Sequence, residues 1–281
     1  MLHIKREMIK HLETGFSEDI GFGDISSAIL PEDNFVEGSF ISKDDGVLAG
    51  VHAISIGYQM LDDAVQVTKL RNDGDAIKAG DSIATISGPA RSVLSGERVI
   101  LNIVQHLCGI ATKTAVAVKS VAGSGIRICD TRKTLPGYRS LQKYAVRCGG
   151  GFNHRMRLDD GVMIKDNHIA AAGSITKAVE AARSSVGLMV KVEVECETDA
   201  QVKEAVKAGA DIIMLDNKTP DQAAQLIKLI PDSIIIELSG GITAETAAKY
   251  KNCGADYISL GSLTHSVTVL DISFVLDNAI K

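Results

Sequence analysis

The chain contains no tryptophan, and only 4% of its 281 residues are aromatic. It also lacks a broadly basic character: Lys and Arg total 30 against 35 Asp and Glu, for a formal net charge of −5. Binding to nucleic acid by counterion release needs a widely cationic surface, so that class is excluded. No CxxC pair occurs, and the five cysteines (Cys108, Cys129, Cys148, Cys196, Cys253) are scattered and odd in number. They read as buried, reduced thiols of a cytoplasmic protein. The opening stretch MLHIKREMIK carries charges where a signal peptide needs an apolar core. No apolar run approaches the ~18 residues that span a bilayer, so no membrane partner is expected.

What cation there is, is concentrated. Between Arg127 and His168 stand nine Lys and Arg (Arg127, Arg132, Lys133, Arg139, Lys143, Arg147, Arg155, Arg157, Lys165) against four Asp. Six of the eleven arginines fall in this window, around the stretches DTRKTLPG and GGGFNHRMRLDDGVMIKDNH. A local cationic cluster in an acidic chain fits a compact anionic ligand.

Two styles of sequence meet near residues 108–125. The second half alternates short apolar runs (IRICD, GVMIKD, LMVKVEVE, DIIMLD, SIIIELSG, ADYISLG) with amphipathic helical stretches. Ser174, Thr198, Thr219 and Thr243 are placed as N-caps. This rhythm predicts parallel βα units. About six fit, fewer than a full eight-stranded barrel requires. An incomplete barrel and an open doubly wound sheet both satisfy the count. In KVEVE, Lys191, Glu193 and Glu195 share one strand face and Val192 and Val194 the other. An open sheet covered on both faces should be apolar on both, so the charged face favours a barrel. The first half shows a short helix, strand-like stretches (VEGSFIS, VQVTKL, SIATISG) separated by turns, and a long helical run over 96–123 expected to break at Gly109. The expected fold is therefore α/β: an N-terminal α+β sandwich domain over 1–108, then an incomplete, six- to seven-stranded parallel α/β barrel over 109–269. Residues 270–281 are expected to pack on the first domain.

The runs end in Asp130, Lys165–Asp166, Glu195, Asp216, Ser239–Gly240 and Gly261, at the strand ends where parallel α/β proteins build their sites. Three kinds of group recur there. Arg132, Lys133, Arg155 and Lys165, with His154, offer forks and charges for carboxylates or phosphates. Arg139, Lys143, Arg147 and Arg157 read instead as ion-paired or solvated helix residues. Asp166, Glu195 and Asp216 could hold a hydrated Mg²⁺ or face a cationic transition state. Gly240, Gly241 and Gly261 allow close backbone approach to a phosphate. The residues alone thus imply a phosphate-bearing substrate and a second polyanionic one.

The segments DTRKTLPG, KYAVRCGGGFNHRMRLDDGVMIKDNH, VEVE, LDN, SGGI, DYISLG and LTHS, with EDIGFGDIS and ERVILN upstream, resemble in order the quinolinate phosphoribosyltransferase family. The resemblance covers roughly residues 17–272. It implies decarboxylating transfer from 5-phosphoribosyl-1-pyrophosphate (PRPP) to quinolinate, giving nicotinate mononucleotide, pyrophosphate and CO₂ in NAD biosynthesis, with Mg²⁺. It further implies a homodimer or dimer-based hexamer. Under it Arg132, His154, Arg155 and Lys165 bind quinolinate, and Arg98 reaches in from the partner subunit. Lys133, Ser239, Gly240, Gly241, Gly261 and His265 hold PRPP and its 5-phosphate. Glu195 and Asp216, with Lys133, are the expected catalytic groups; Glu195, Asp216 and nearby Asp166 are the expected metal set. Two positions depart from the family pattern: Cys196 stands where Asn is common, and Lys218 where Met is common. A paralogous phosphoribosyltransferase-like protein linked to molybdate transport, a Schiff-base aldolase using Lys165 or Lys191, and a non-catalytic phosphosugar-binding module are the alternatives.

Overall fold

A computed structural model describes residues 2–277. In chain order its helices are α1 (Leu2–Asp19), α2 (His52–Leu61), α3 (Ala90–Ser120), α4 (Arg139–Cys148), α5 (Asp166–Ala172), α6 (Ile175–Ser185), α7 (Asp199–Ala208), α8 (Pro220–Ile227) and α9 (Ser262–His265). The strands are β1 (Phe35–Ser42), β2 (Gly46–Val47), β3 (Gln66–Lys69), β4 (Ala76–Ile77), β5 (Ser82–Pro89), β6 (Arg127–Cys129), β7 (Val162–Ile164), β8 (Val192–Cys196), β9 (Ile212–Asp216), β10 (Ile235–Ser239), β11 (Tyr257–Ser259) and β12 (Ile272–Leu276). Two compact units emerge. One comprises residues up to Ala115, Pro136–Gly150 and the chain from Ser266 on; the other comprises Val116–Leu135 and Gly151–His265. The expected boundary at 108/109 lies within α3.

The first unit holds a four-stranded antiparallel sheet in the order β12-β1-β5-β3 and the small β2-β4 pair. Phe40 and Tyr58 are fully buried, 6.5 Å apart between rings, and Tyr58 donates its hydroxyl to Val93 O at 3.0 Å. Residues 136–150 join this unit for identifiable reasons. Tyr144 donates to Asp73 at 2.6 Å, Gln142 meets His106 at 2.9 Å, and the Tyr138 ring packs tilted against His11 with centroids 4.2 Å apart. Lys143, expected to be solvated, is fully buried here. β12 pairs with β1 from Gly38↔Leu276 to Ser42↔Ile272, so the C-terminal segment closes the sheet edge. Residues 278–281, included in that expectation, lie outside the described residues.

The expected break at Gly109 does not occur: α3 runs unbroken for 31 residues. By length and hydropathy it could cross a membrane, but 61% of its most apolar window is buried within the protein, as in a core helix. Gly109 has a different purpose. A Cβ there would lie 2.1 Å from the carbonyl oxygen of Thr268, so the glycine lets the returning chain pass against the helix.

The second unit is a single six-stranded parallel sheet, β6-β11-β10-β9-β8-β7, with β7 at one end and β6 at the other, where Cys129 is bridged to Phe152. Helices follow β7, β8 and β9, as the sequence rhythm predicts. The side chains of Ser174, Thr198 and Thr219 cap α6, α7 and α8 by accepting from the N–H three residues on. Thr243 differs: it closes a turn with Thr246, and only a short 3₁₀ segment, Ala247–Tyr250, follows. On the strands, one face packs outward with Val192, Val194, Ile213 and Leu215 fully buried. The other face forms an ordered stack. Glu193 is level with Ile212; Glu195, Met214 and Glu237 lie one level up; Asp216 and Ser239 lie above them. Glu195 and Asp216 line a cavity with groups from the other strands, the incomplete barrel expected.

Helix propensity alone favours Ala over Gly by about 1 kcal/mol. The backbone clash at Thr268 opposes it, and a carbonyl cannot step aside as a flexible side chain can. Gly109→Ala is therefore expected to destabilise by about 1–3 kcal/mol. Calorimetry should show a fall in Tm; a rise would show that the close approach imposes no constraint.

Candidate active site

The cavity at the carboxyl ends of the strands has a volume of about 700 Å³. Of the residues singled out in the sequence, Arg132, Lys133, His154, Arg155, Lys165, Glu195, Asp216, Ser239, Gly240, Gly241, Gly261 and His265 all line it. Two do not. Asp166 is exposed in the first turn of α5, where its carboxylate accepts the N–H of Asn167 at 2.7 Å, and it is not among the lining residues. Arg98 belongs to α3 in the first unit and is not among the lining residues.

Arg132 and Lys133 follow β6 directly and are exposed. Asp130, which ends that run, is fully buried. It accepts from Asn153 Nδ2 at 2.5 Å and from the His154 N–H at 3.0 Å, tying the loop after the triple glycine to the end of β6. That loop delivers Arg155, whose guanidinium donates to Gly161 O at 2.9 Å and meets Met163 Sδ at 3.7 Å. Burial, and then the charge of Arg132, lower the Arg155 pKa. Two guanidinium groups lining one cavity favour an anion there.

Lys165 follows β7 and pairs with Glu195 of β8. Its backbone N–H donates to Nδ1 of His168 at 3.0 Å, so the KDNH turn fixes the lysine through a histidine pointing back from α5. Opposite, Ser259 donates to Ser239 at 3.0 Å, and Thr264 donates to Lys133 O at 2.8 Å. Gly240 has φ +81° and Gly241 φ +64°, left-handed conformations suited to glycine. A Cβ on Gly240 would lie 2.3 Å from Asn217 Oδ1, so the backbone turn at β10 is packed against the turn at β9. Asn217 itself has φ +52° and donates to Asp216 at 2.5 Å, holding that carboxylate.

The sequence did not single out what lies beneath. Glu193 and Glu237 are 3% and 4% exposed, and each places Oε2 at 3.3 Å from Nε2 of His154. The other oxygen of each carboxylate, Oε1, is buried without a hydrogen-bond partner. A second cavity of about 340 Å³, lined by Phe152, Lys191, Glu193, Ile212, Ile235 and Tyr257 among others, opens below this layer. Burial alone would lower the His154 pKa; hydrogen bonds to Glu193 and Glu237 and their charges outweigh it and push it up to about 10. Burial also raises Glu193. His154, Glu193 and Glu237 titrate as one cluster, and the Arg155 N–H directed at Nδ1 requires that nitrogen to be unprotonated, so the additional proton lies among Nε2 and the two carboxylates. The Arg155 N–H donates to His154 Nδ1 at 2.7 Å, which places the ring hydrogen on Nε2, between the carboxylates. The sequence signal for Glu237 was available: a lone Glu in SIIIELSG, on the same strand face as Ser239.

Donor chemistry at the upper rim suits a hard cation. Glu195 and Asp216 present carboxylates to the same cavity from adjacent strands, and Mg²⁺ typically takes one or two carboxylates with phosphate oxygens and water completing its shell.

Comparison with known proteins shows the family of the chain. Residues 24–108 match the model of the quinolinate phosphoribosyl transferase N-terminal domain, and 110–275 that of the C-terminal domain. The chain is 50% identical over 274 residues to a probable nicotinate-nucleotide pyrophosphorylase (carboxylating) of Bacillus subtilis, covering 97% of this chain and 94% of that protein. It is 40% identical to the nicotinate-nucleotide pyrophosphorylase (carboxylating) of Mycobacterium leprae, covering 92% and 93%. Among solved structures, NadC from Streptococcus pyogenes superposes with a TM-score of 0.91 at 42% identity, covering 95% of this chain and 96% of that one.

Proposed function

The chain belongs to the quinolinate phosphoribosyltransferase family, and from that premise we propose that its cavity holds quinolinate and PRPP side by side. It is a pentosyltransferase of NAD biosynthesis, a quinolinate phosphoribosyltransferase. The relatives' name describes carboxylation and pyrophosphorolysis of the nicotinate nucleotide. The forward reaction therefore releases CO₂ and pyrophosphate and gives nicotinate mononucleotide.

One observation carries the placement of the substrates: Arg132, Arg155 and Lys165 converge on a cavity that Ser239, Gly240, Gly241, Gly261 and His265 also line. The cations grip the two carboxylates of a flat diacid by charge-assisted hydrogen bonds. The glycine turns receive the 5-phosphate of PRPP, with Lys133 beside it. Arg98 completes the diacid site from the partner subunit of a homodimer, alone or within a dimer-based hexamer. Five free cysteines support a cytoplasmic setting.

The chemistry follows from these positions. The ring nitrogen of quinolinate attacks C1 of the ribose as the bond to pyrophosphate breaks, through an oxocarbenium-like state. Glu195 and Asp216 stabilise the positive charge that develops there. Mg²⁺, when bound through Glu195 and Asp216, supplies charge neutralisation for the departing pyrophosphate. Lys165, paired with Glu195, orients that carboxylate while meeting the diacid. The ribosylated ring then loses its 2-carboxylate; the cationic ring nitrogen stabilises the carbanion left at C2, which takes up a proton. No side chain forms a covalent bond, so neither Lys165 nor Lys191 serves as a Schiff base.

The purified protein incubated with quinolinate, PRPP and Mg²⁺ should release CO₂ and form nicotinate mononucleotide; absence of both products would overturn the reading. Arg132→Ala should raise the quinolinate KM by ~30-fold or more, because losing one partner of a charge-assisted pair costs about 2–5 kcal/mol, while the PRPP KM changes little. An unchanged quinolinate KM would remove Arg132 from the diacid site. Mixing inactive Arg98→Ala chains with inactive Asp216→Ala chains should restore partial activity, since one hybrid site is then intact. No recovery after verified subunit exchange would count against a shared site.

A further inference from the structure

His154 is expected from the family resemblance to bind the diacid directly, yet both of its ring nitrogens are engaged inside the protein. Nε2 lies 3.3 Å from a carboxylate oxygen of both Glu193 and Glu237, and Nδ1 accepts the backbone N–H of Arg155 at 2.7 Å. Its side chain is 14% exposed. A ring held at both nitrogens has no hydrogen left to donate to a substrate carboxylate.

The geometry points to a positioning relay, Glu193 and Glu237 to His154 to the main chain of Arg155, through which His154 acts on the acceptor without gripping it. The proposal rests on the functional reading above. Each link has a physical reason. The two glutamates sit on β8 and β10, whose registers are fixed through β9, so their carboxylates are rigidly placed. They are almost fully buried and would be costly there without partners. The Nε2–H between them fixes the plane of the ring. The ring in turn fixes the peptide N–H of Arg155, and the Arg155 guanidinium is set by Gly161 O and Met163 Sδ. The site repeats the device at Lys165, whose backbone N–H is held by Nδ1 of His168. In both cases an imidazole accepts the main-chain N–H of a cation that faces the diacid. Placement of such a cation to within a fraction of an ångström decides its strength.

The same three side chains could instead ligate a metal, since one ligand atom from each lies within 4.8 Å of the others. The Nε2–H between the carboxylates already joins these groups without an ion, and the nearby charge of Arg155 offsets part of the buried negative charge. The relay is therefore the reading the contacts favour.

A double-mutant cycle on the purified enzyme separates relay from direct contact. Quinolinate kcat/KM is measured for the wild type, His154→Ala, Arg155→Ala and the double variant, with the PRPP KM and Tm of each as checks on folding. If His154 acts through Arg155, adding His154→Ala to Arg155→Ala lowers kcat/KM by no more than about threefold, because coupled residues are non-additive. If the two losses multiply, His154 makes its own substrate contact and the relay is wrong. His154→Asn, whose Oδ1 stands near the place of Nδ1, should recover at least about tenfold of the rise in quinolinate KM seen in His154→Ala; it also serves should the alanine variant not fold. No recovery would overturn the link to Arg155. Glu193→Gln with Glu237→Gln should raise the quinolinate KM about tenfold and leave the PRPP KM within about twofold; equal rises in both would show a merely structural role. A stoichiometric metal in the wild type by elemental analysis, lost in the Gln variants, would replace the relay with a metal site. A wild type without turnover would overturn the functional reading itself, and this proposal with it.

Discussion

Like charges forced together dominate this protein. Arg132 and Arg155 face one cavity closely enough that the charge of the first lowers the pKa of the second. Nothing in folding rewards such an arrangement by itself. It is sustained from below by acidic groups: Glu195 against Lys165 at the rim, and Glu193 with Glu237 around His154 in the buried layer. Without those carboxylates the cations would repel and turn to solvent; without the cations the buried carboxylates would be untenable.

The fold makes this possible by geometry. Parallel strands bring every second residue to one face and align neighbours in register, so acids far apart in sequence become adjacent levels of one stack. Glu195, Met214 and Glu237 are neighbours only because β8, β9 and β10 pair as they do. The cations instead come from the loops and strand ends that follow β6 and precede or follow β7, where the chain is free to aim side chains inward. Strands supply the rigid negative floor, and loops supply the positive rim. His154 connects the two, meeting Glu193 and Glu237 at Nε2 and the Arg155 N–H at Nδ1, and His168 accepts the backbone N–H of the second rim cation, Lys165.

Much of this was legible in the sequence. The βα rhythm pointed to the parallel sheet. The strand-end residues pointed to the cavity, because a charged group closing a buried strand is costly unless it meets water, a partner or a ligand there. Ser174, Thr198 and Thr219 marked helix starts because an N-cap needs only a local hydroxyl. What stayed hidden depended on distant partners. Lys143 reads as a surface residue on a helix whose other side is apolar; only the docking of that helix within its unit buries it. Gly109 reads as a helix break, because the sequence cannot show the chain at Thr268 returning alongside. Glu193 reads only as one charge on the face of KVEVE and Asp166 as a strand-end acid, yet Glu193 is buried beside His154 and Asp166 is exposed at a helix start. Pairing across strands, not spacing along the chain, separates them.

The most direct test is the crystal structure of the protein with quinolinate bound. Both carboxylates should lie within hydrogen-bonding distance of the Arg132 and Arg155 guanidinium groups and the Lys165 ammonium, with the ring nitrogen turned toward Asp216 and the Gly240 turn. A diacid bound elsewhere, with those guanidinium groups directed into solvent, would contradict the account.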